Sequence, residues 1–185
     1  GVTPVNLSQL AAYTTAGWST TAGANGSIDF VYSKTDSKPN FTWFIFPDRT
    51  RPMLLSEWNT NISTTHQVQL MASTLGGNFT LQNYINFDSS MSNAAEIWAT
   101  NRNSNTGQGF FPIGTTTGQT GQSGLLVYTG HFNGQSYTIE NLYMNRVRNI
   151  NLGPVSFTGK EMIGFFGGIN RATIENITLK NLFYN

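Results

Sequence analysis

Thr138-Ile139-Glu140-Asn141-Leu142 returns 35 residues later as Thr173-Ile174-Glu175-Asn176-Ile177, and a looser copy, Thr80-Leu81-Gln82-Asn83-Tyr84, lies 58 residues before the first. Self-similarity at a spacing of tens of residues marks chains that stack one small unit on the next. The unit here reads as a short strand that ends in a bend. Ile139, Ile174 and Leu81 are expected to point inward, where burying each contributes about 1.5–3 kcal/mol. Glu140, Glu175 and Gln82 occupy the opposite pleat and face solvent. The Asn that follows sits at the bend, where its amide satisfies turn backbone groups and stacks on the Asn of the next unit.

Outward from the repeat, β-branched and aromatic residues alternate in short runs bounded by Gly and Asn, which is the pattern of strands and turns. Such runs are Ser27 to Tyr32, Phe41 to Phe46, Phe79 to Phe87, Leu125 to Phe132, Tyr137 to Met144 and Thr173 to Leu179. Helical signals are few. Ser63, Thr64 or Thr65 can cap a short helix carrying Val68, Leu70 and Met71, and further short helices are expected near Asn93 to Thr100 and Asn6 to Tyr13. Asn101 to Gly124, rich in Asn, Gly, Thr and Gln, reads as a long loop with little structure of its own. The expected fold is all-β, a parallel β-helix (solenoid) with one or two short helices. Residues 1–60 form an N-terminal β region or cap, and residues 61–185 the β-helix segment, a single structural unit.

Composition narrows the function. The 185 residues include ten Lys and Arg against nine Asp and Glu, a net charge of +1 with charged residues at 10%. Ordinary soluble domains carry about 25%. A nucleic-acid footprint needs a concentrated basic face, and charges do not cluster anywhere in this chain. Polarity comes from 21 Asn, 24 Thr, 15 Ser and 19 Gly. Solubility through hydroxyls and amides suits an extracellular β protein. With no Cys, neither a disulfide framework nor a thiolate metal site is available. No run approaches 18 apolar residues, and the start at Gly1 does not resemble a signal peptide. The chain reads as a fragment of something longer, with any export signal upstream.

The residues around the repeat carry a family resemblance. Tyr128-Thr129-Gly130-His131-Phe132-Asn133-Gly134-Gln135-Ser136-Tyr137-Thr138-Ile139-Glu140-Asn141-Leu142 resembles the F-x-G-x-F-x-G-x-x-x-T-I-x-N-L unit of filamentous-haemagglutinin-like adhesins. Ile163-Gly164-Phe165-Phe166-Gly167 resembles the G-L-F-G core of the GLUG motif, with Phe165 in place of the usual Leu. Phe111-Pro112-Ile113-Gly114 is similar to the segment that precedes these units. Arg51-Pro52-Met53-Leu54-Leu55-Ser56-Glu57 and Thr65-His66-Gln67-Val68-Gln69-Leu70-Met71 resemble the segment that introduces them in large two-partner-secretion exoproteins. The resemblance runs from Arg51 to Asn185, while residues 1–40 match no family pattern. It implies an internal segment of a right-handed β-helix exported through an outer-membrane transporter of the TpsB type. It also implies display on, or shedding from, a Gram-negative cell in a role linked to virulence.

Catalytic readings find little material. His66 and His131 are the only histidines, and neither has a second His or a Cys at metal-ligand spacing, so surface or packing roles are expected. Ser123 lacks the G-x-S-x-G context of a nucleophile elbow. Gly107, Gly109 and Gly114 lack the Lys of a phosphate-binding loop, and Gly164, Gly167 and Gly168 suit tight bends. One enzymatic arrangement stays open. Glu140 and Glu175 share a repeat position, stacked strands lie about 4.8 Å apart, and retaining glycosidases hold two carboxyls about 5 Å apart. Against it, solvated carboxylates are the common case, and no Arg, Lys or Asp recurs beside either Glu.

Phe41, Trp43, Phe44, Phe46 and Trp58 form an aromatic group that suits either a binding platform or a plug over the apolar core. Apolar residues on both parities favour burial. Sequons occur at Asn6, Asn25, Asn40, Asn61, Asn78 and Asn176. Asn176, at the repeat's bend, is expected to be a poor glycan acceptor once folded.

The resulting expectation is a secreted, cell-surface adhesin segment. It is monomeric and non-catalytic, needs no metal or cofactor, and binds a host glycan or protein through the loops Asn101 to Gly124 and Arg146 to Lys160. A β-helix glycosidase or lyase and a structural spacer of a surface fibre are the alternatives.

Overall fold

The computed structural model describes residues 43–46, 49–114, 127–145, 147–151, 156–160 and 163–184. The strand expected at Ser27 to Tyr32, the helix at Asn6 to Tyr13, Phe41, Ser123 and the sequons Asn6, Asn25 and Asn40 lie outside the described residues.

Short strands dominate, with few helices, and the sheets are both parallel and antiparallel. Strands β1 (Trp43–Phe44) and β2 (Met53–Leu54) pair antiparallel. After β3 (Asn61–Ile62) comes helix α1 (Thr65–Leu70), then β4 (Phe79–Leu81), β5 (Ile85–Asn86) and helix α2 (Asp88–Ser92). Next are β6 (His131–Asn133), β7 (Thr138–Glu140) and β8 (Tyr143–Met144). An antiparallel pair follows, β9 (Val147–Asn151) and β10 (Ser156–Lys160). The chain then runs through β11 (Thr173–Glu175), β12 (Thr178–Lys180) and β13 (Phe183–Tyr184).

The strands outside the two antiparallel pairs form three parallel sheets, ordered β11-β6-β4-β3, β12-β7-β5 and β13-β8. The passes β6-β7-β8 and β11-β12-β13 visit the three sheets in the same order, β4-β5 visits the first two, and β3 only the first. The chain lays each pass alongside the one before, so that Thr173 sits beside His131, Thr178 beside Thr138 and Phe183 beside Tyr143. Backbone bonds continue the register through the corners, with Ser136 N donating to Asn176 O at 2.7 Å and Asn141 N to Lys180 O at 3.2 Å.

This register corrects one reading of the repeat. Thr173–Glu175 does not stack on Thr138–Glu140: the former lies on the sheet of β6, the latter on the sheet of β12. The motif marks a corner, not a whole pass. Asn141, Asn176 and Asn181 all take positive φ, at 62°, 53° and 48°. That left-handed conformation is one Asn tolerates better than most residues, and it turns the chain after three extended residues. A further copy, Thr178-Leu179-Lys180-Asn181-Leu182, directly follows Thr173–Ile177 and turns the next corner. Its Leu and Lys in place of Ile and Glu hid it. The amide ladder forms, though between neighbouring passes rather than between motif copies. Asn141 Nδ2 donates to Asn86 Oδ1 at 2.9 Å, Gln82 Nε2 to Asn61 Oδ1 at 3.1 Å and Asn176 Nδ2 to Asn133 Oδ1 at 3.4 Å.

Ile139 and Leu81 are fully buried, as their pleat requires, and Ile174 is half-buried. The interior is aromatic, with Phe110 stacked on Phe165 at 5.7 Å and Phe165 edge-on to Phe166 at 4.9 Å. Two glycines of the F-x-G-x-F-x-G stretch allow the passes to touch. A Cβ on Gly130 would lie 2.0 Å from Gly77 O, and one on Gly134 would lie 2.5 Å from Asn176 O. Phe44, Ile45 and Phe46 are buried, and Phe46 packs 5.0 Å from Phe111, which is core packing and not an exposed platform.

Three local expectations change. Asn101 to Gly124 is not a loop throughout: Phe110, Phe111 and Ile113 are core, and Ile113 bridges Phe166 in parallel. Their apolar side chains outweigh the turn-forming residues around them. Arg146 to Lys160 contains the β9–β10 pair. Asn93 to Thr100 forms turns, because the Asn93 side chain accepts from Ala95 N at 2.9 Å and its carbonyl from Glu96 N at 3.0 Å, an alternative to helical bonding. The short helix lies just before it, at α2.

Replacing Ile139 with Asp should place an unpaired carboxyl in the core and prevent a cooperative melt, while Glu140→Gln and Glu175→Gln shift the melting temperature little. Asn141→Gly should be close to neutral, and Asn141→Ala should lose about 1–2 kcal/mol in urea denaturation. Equal losses for Gly and Ala would show that the corner does not depend on the left-handed conformation.

Candidate functional site

Helix α1 opens with a capping box. Thr64 Oγ1 accepts from Gln67 N at 3.2 Å, and Gln67 Oε1 accepts from Thr64 N at 3.2 Å and Ser63 N at 2.7 Å. This fixes the first turn, and with it His66 and Gln69, three residues apart on the face of the helix that meets Trp98. His66 lies between two carboxylates, Nδ1 being 2.8 Å from Glu57 Oε2 and Nε2 3.0 Å from Glu96 Oε2. Neutral imidazole donates to one of them, imidazolium to both. Trp98 lies edge-on to the ring at 5.7 Å. Both ring nitrogens are engaged, so the cluster's evident work is to tie the Leu55–Glu57 turn, α1 and the Asn93–Trp98 turns together.

Beneath it, buried Gln69 joins three segments. Its Oε1 accepts from Trp98 Nε1 at 2.7 Å and Phe111 N at 3.0 Å, and its Nε2 donates to Phe111 O at 2.9 Å. Sequence reading passed over Gln69, although an amide placed between Val68 and Leu70 in an apolar stretch is the signal that would have found it.

The two carboxylates of the repeat do not form a pair. Glu140, on β7, accepts from the Tyr84 hydroxyl and from Asn141 Nδ2 at 3.3 Å. The bond to Glu140 is also the largest cause raising the Tyr84 phenol above its ordinary pKa, because the neutral phenol is the donor. Glu175, on β11, lies 2.9 Å from His131 Nε2 and accepts from Asn133 Nδ2 at 3.0 Å. They sit on different sheets with separate partners, so the close stacking needed for a glycosidase pair is absent. Among the described residues there is no group of three or more His, Cys, Asp or Glu arranged to hold a metal ion.

Among the described residues, a recess lies elsewhere. A cleft of about 440 Å³ is lined by Arg102, Asn105, Tyr143, Leu182, Phe183 and Tyr184. Arg102 and Asn105 come from the first part of the stretch expected to recognise ligands. The buried Phe110 to Ile113 segment fastens that stretch against β8, with Phe110 N donating to Tyr143 O at 2.8 Å. The Arg102 guanidinium lies 4.4 Å above the Phe183 ring and pairs with Asp88. Its Nη1 and the Tyr143 hydroxyl are buried without a hydrogen-bond partner. A cation on an aromatic face, unsatisfied donors and the exposed Tyr184 ring suit a ligand with oxygen acceptors and an apolar face.

Gln69→Met should cost about 3 kcal/mol or more in urea denaturation, since it strands the Trp98 and Phe111 groups at about 1–3 kcal/mol each. His66→Ala, which breaks partly exposed pairs, should cost about 1 kcal/mol or less.

Comparison of the chain with protein-family models, curated proteins and solved structures returned no match. The resemblance to filamentous-haemagglutinin-like exoproteins therefore rests on the residues quoted for it.

Proposed function

We propose that the three parallel sheets are the faces of a right-handed parallel β-helix. We read the chain as a secreted, non-catalytic binding segment of a surface adhesin, carried to a Gram-negative cell surface by an outer-membrane transporter of the two-partner type. The observation that carries the scaffold is the pass-on-pass register, with three left-handed Asn corners and a continuous apolar interior. The observation that carries binding is the Arg102–Tyr184 cleft, which offers donors and aromatic surface but no acid–base pair. The partner is a host-surface glycan or protein engaged there, without metal or cofactor. A β-helix glycosidase or lyase is disfavoured by the separate engagements of Glu140 and Glu175.

Binding of the purified chain to host cells and matrix proteins tests this reading. Saturable binding is expected, falling at least about tenfold in Arg102→Ala, roughly 1.4 kcal/mol, and unchanged in the Glu140→Gln, Glu175→Gln double variant. No products should appear from a panel of polysaccharides. General acid–base assistance typically supplies about 10² to 10⁴ in rate, so cleavage that disappears in the double variant would establish the enzyme instead. Absence of binding to any surface would favour the structural spacer.

A further inference from the structure

Asn133 and Gly134, where β6 turns toward β7, carry a reaction that the fold holds in check. In an Asn-Gly pair the glycine nitrogen can attack the asparagine side chain, because glycine has no Cβ to obstruct the approach. The Gly134 nitrogen bonds to Asn133 Cγ, its proton passes to the amide nitrogen, and ammonia leaves. Water then opens the five-membered succinimide at either carbonyl, giving aspartate or isoaspartate. Packing requires both residues. A Cβ on Gly134 would lie 2.5 Å from Asn176 O, and Asn133 Oδ1 accepts from Gln135 N at 2.8 Å, which sets the bend.

While β11 is docked, each requirement of the reaction is blocked. Gly134 is buried, and its nitrogen donates to Glu175 O at 2.9 Å, so the attacking group is engaged. The side chain it would attack is also held. Asn133 Nδ2 donates to Glu175 Oε1 at 3.0 Å, and Oδ1 accepts from Asn176 Nδ2 at 3.4 Å. Asn133 itself is extended within β6, paired with Glu175. Apart from the bond to Gln135, every one of these contacts comes from Glu175 and Asn176. Lifting β11 off β6 therefore removes them together.

We infer that Asn133-Gly134 is a modification site gated by β11, deamidating with water once that strand lifts and then barring its return. Aspartate at 133 replaces an amide donor with a carboxylate where Glu175 Oε1 now accepts, setting two like charges side by side. Isoaspartate adds one backbone atom between β6 and β7. The register that pairs Phe132 with Ile174 and Ile139 with Leu179 cannot then be kept on both sheets at once. The chain thus keeps a covalent record of whether this pass has opened. The inference is independent of the ligand that the cleft takes.

Peptide mapping by mass spectrometry after incubation in mildly alkaline buffer tests the gate, with the folded chain set against the same chain unfolded in urea. Asn25-Gly26, the other Asn-Gly pair of the sequence, is read in a separate peptide. Deamidation at Asn133 should be at least about tenfold slower in the folded chain. Ile174→Ala, which weakens the docking of β11 without touching Asn133, should move the folded rate toward the unfolded one. Circular dichroism matching the wild type checks that this variant is otherwise folded. Asn133→Asp, which reproduces one product, should lower the melting temperature by about 2–4 °C or more. Adding Glu175→Gln to it should restore most of that loss by removing the second carboxylate. Equal rates in folded and unfolded chains would overturn the gate, as would a folded rate indifferent to Ile174→Ala. An Asn133→Asp chain that melts like the wild type, or that Glu175→Gln does not rescue, would overturn the barred return.

Discussion

Strands of two or three residues cannot hold a sheet by themselves, so the structure depends on how each corner returns the chain to register. Asn141, Asn176 and Asn181 do this by taking the left-handed conformation after three extended residues. At two of these corners an amide also hydrogen-bonds into the neighbouring pass. With the corner fixed, the residue before Glu or Lys falls inside, and the next pass finds a matching set of backbone donors and acceptors. A slip by one residue would turn every apolar side chain outward, so the buried columns specify the register that the few backbone bonds of such short strands leave open. The corners and the apolar columns enforce each other.

The same arrangement separates support from recognition. Inward positions are filled by Phe, Ile and Leu, and outward ones by amides, hydroxyls and a few carboxylates that are already engaged by neutral neighbours or His131. What remains for binding lies where the regular passes are interrupted. The segment from Asn101 to Gly114 begins at the surface with the Arg102–Ser104 turn and ends as core. Anchored at Phe110 and Phe111, it places Arg102 over Phe183. Buried Gln69 strengthens that anchor by bonding both backbone groups of Phe111. An amide buried with all these contacts satisfied specifies one packing of α1, Trp98 and Phe111, because any other would strand polar groups in the core.

Much of this was legible in the residues. The alternation of apolar and polar positions gave the inward role of Ile139 and Leu81, the Ser/Thr cluster gave the cap of α1, and the parity of the Trp43 to Phe46 group gave its burial. These depend on neighbours a few residues apart, where local periodicity and hydrogen-bond chemistry act directly. The five-residue repeat also located the bends, since Asn after a short extended run is a local preference.

Which bends stack on which was not legible. Thr138-Ile139-Glu140-Asn141 and Thr173-Ile174-Glu175-Asn176 match better than any other pair, yet the sheets join Thr138 to Thr178 and Thr173 to His131. A corner motif records the local geometry of a turn, which is the same on every face of the stack, and carries no record of the face. That is decided by the summed length of the segments between corners and by the columns they must complete. The pairing of Gln69 with Phe111 and of Arg102 with Phe183 has the same origin. Sequence determined the strand, the bend and the side that faces inward, because each is a property of a few adjacent residues. Only the tertiary structure decided the partners, because distant segments meet where closing the whole apolar interior places them.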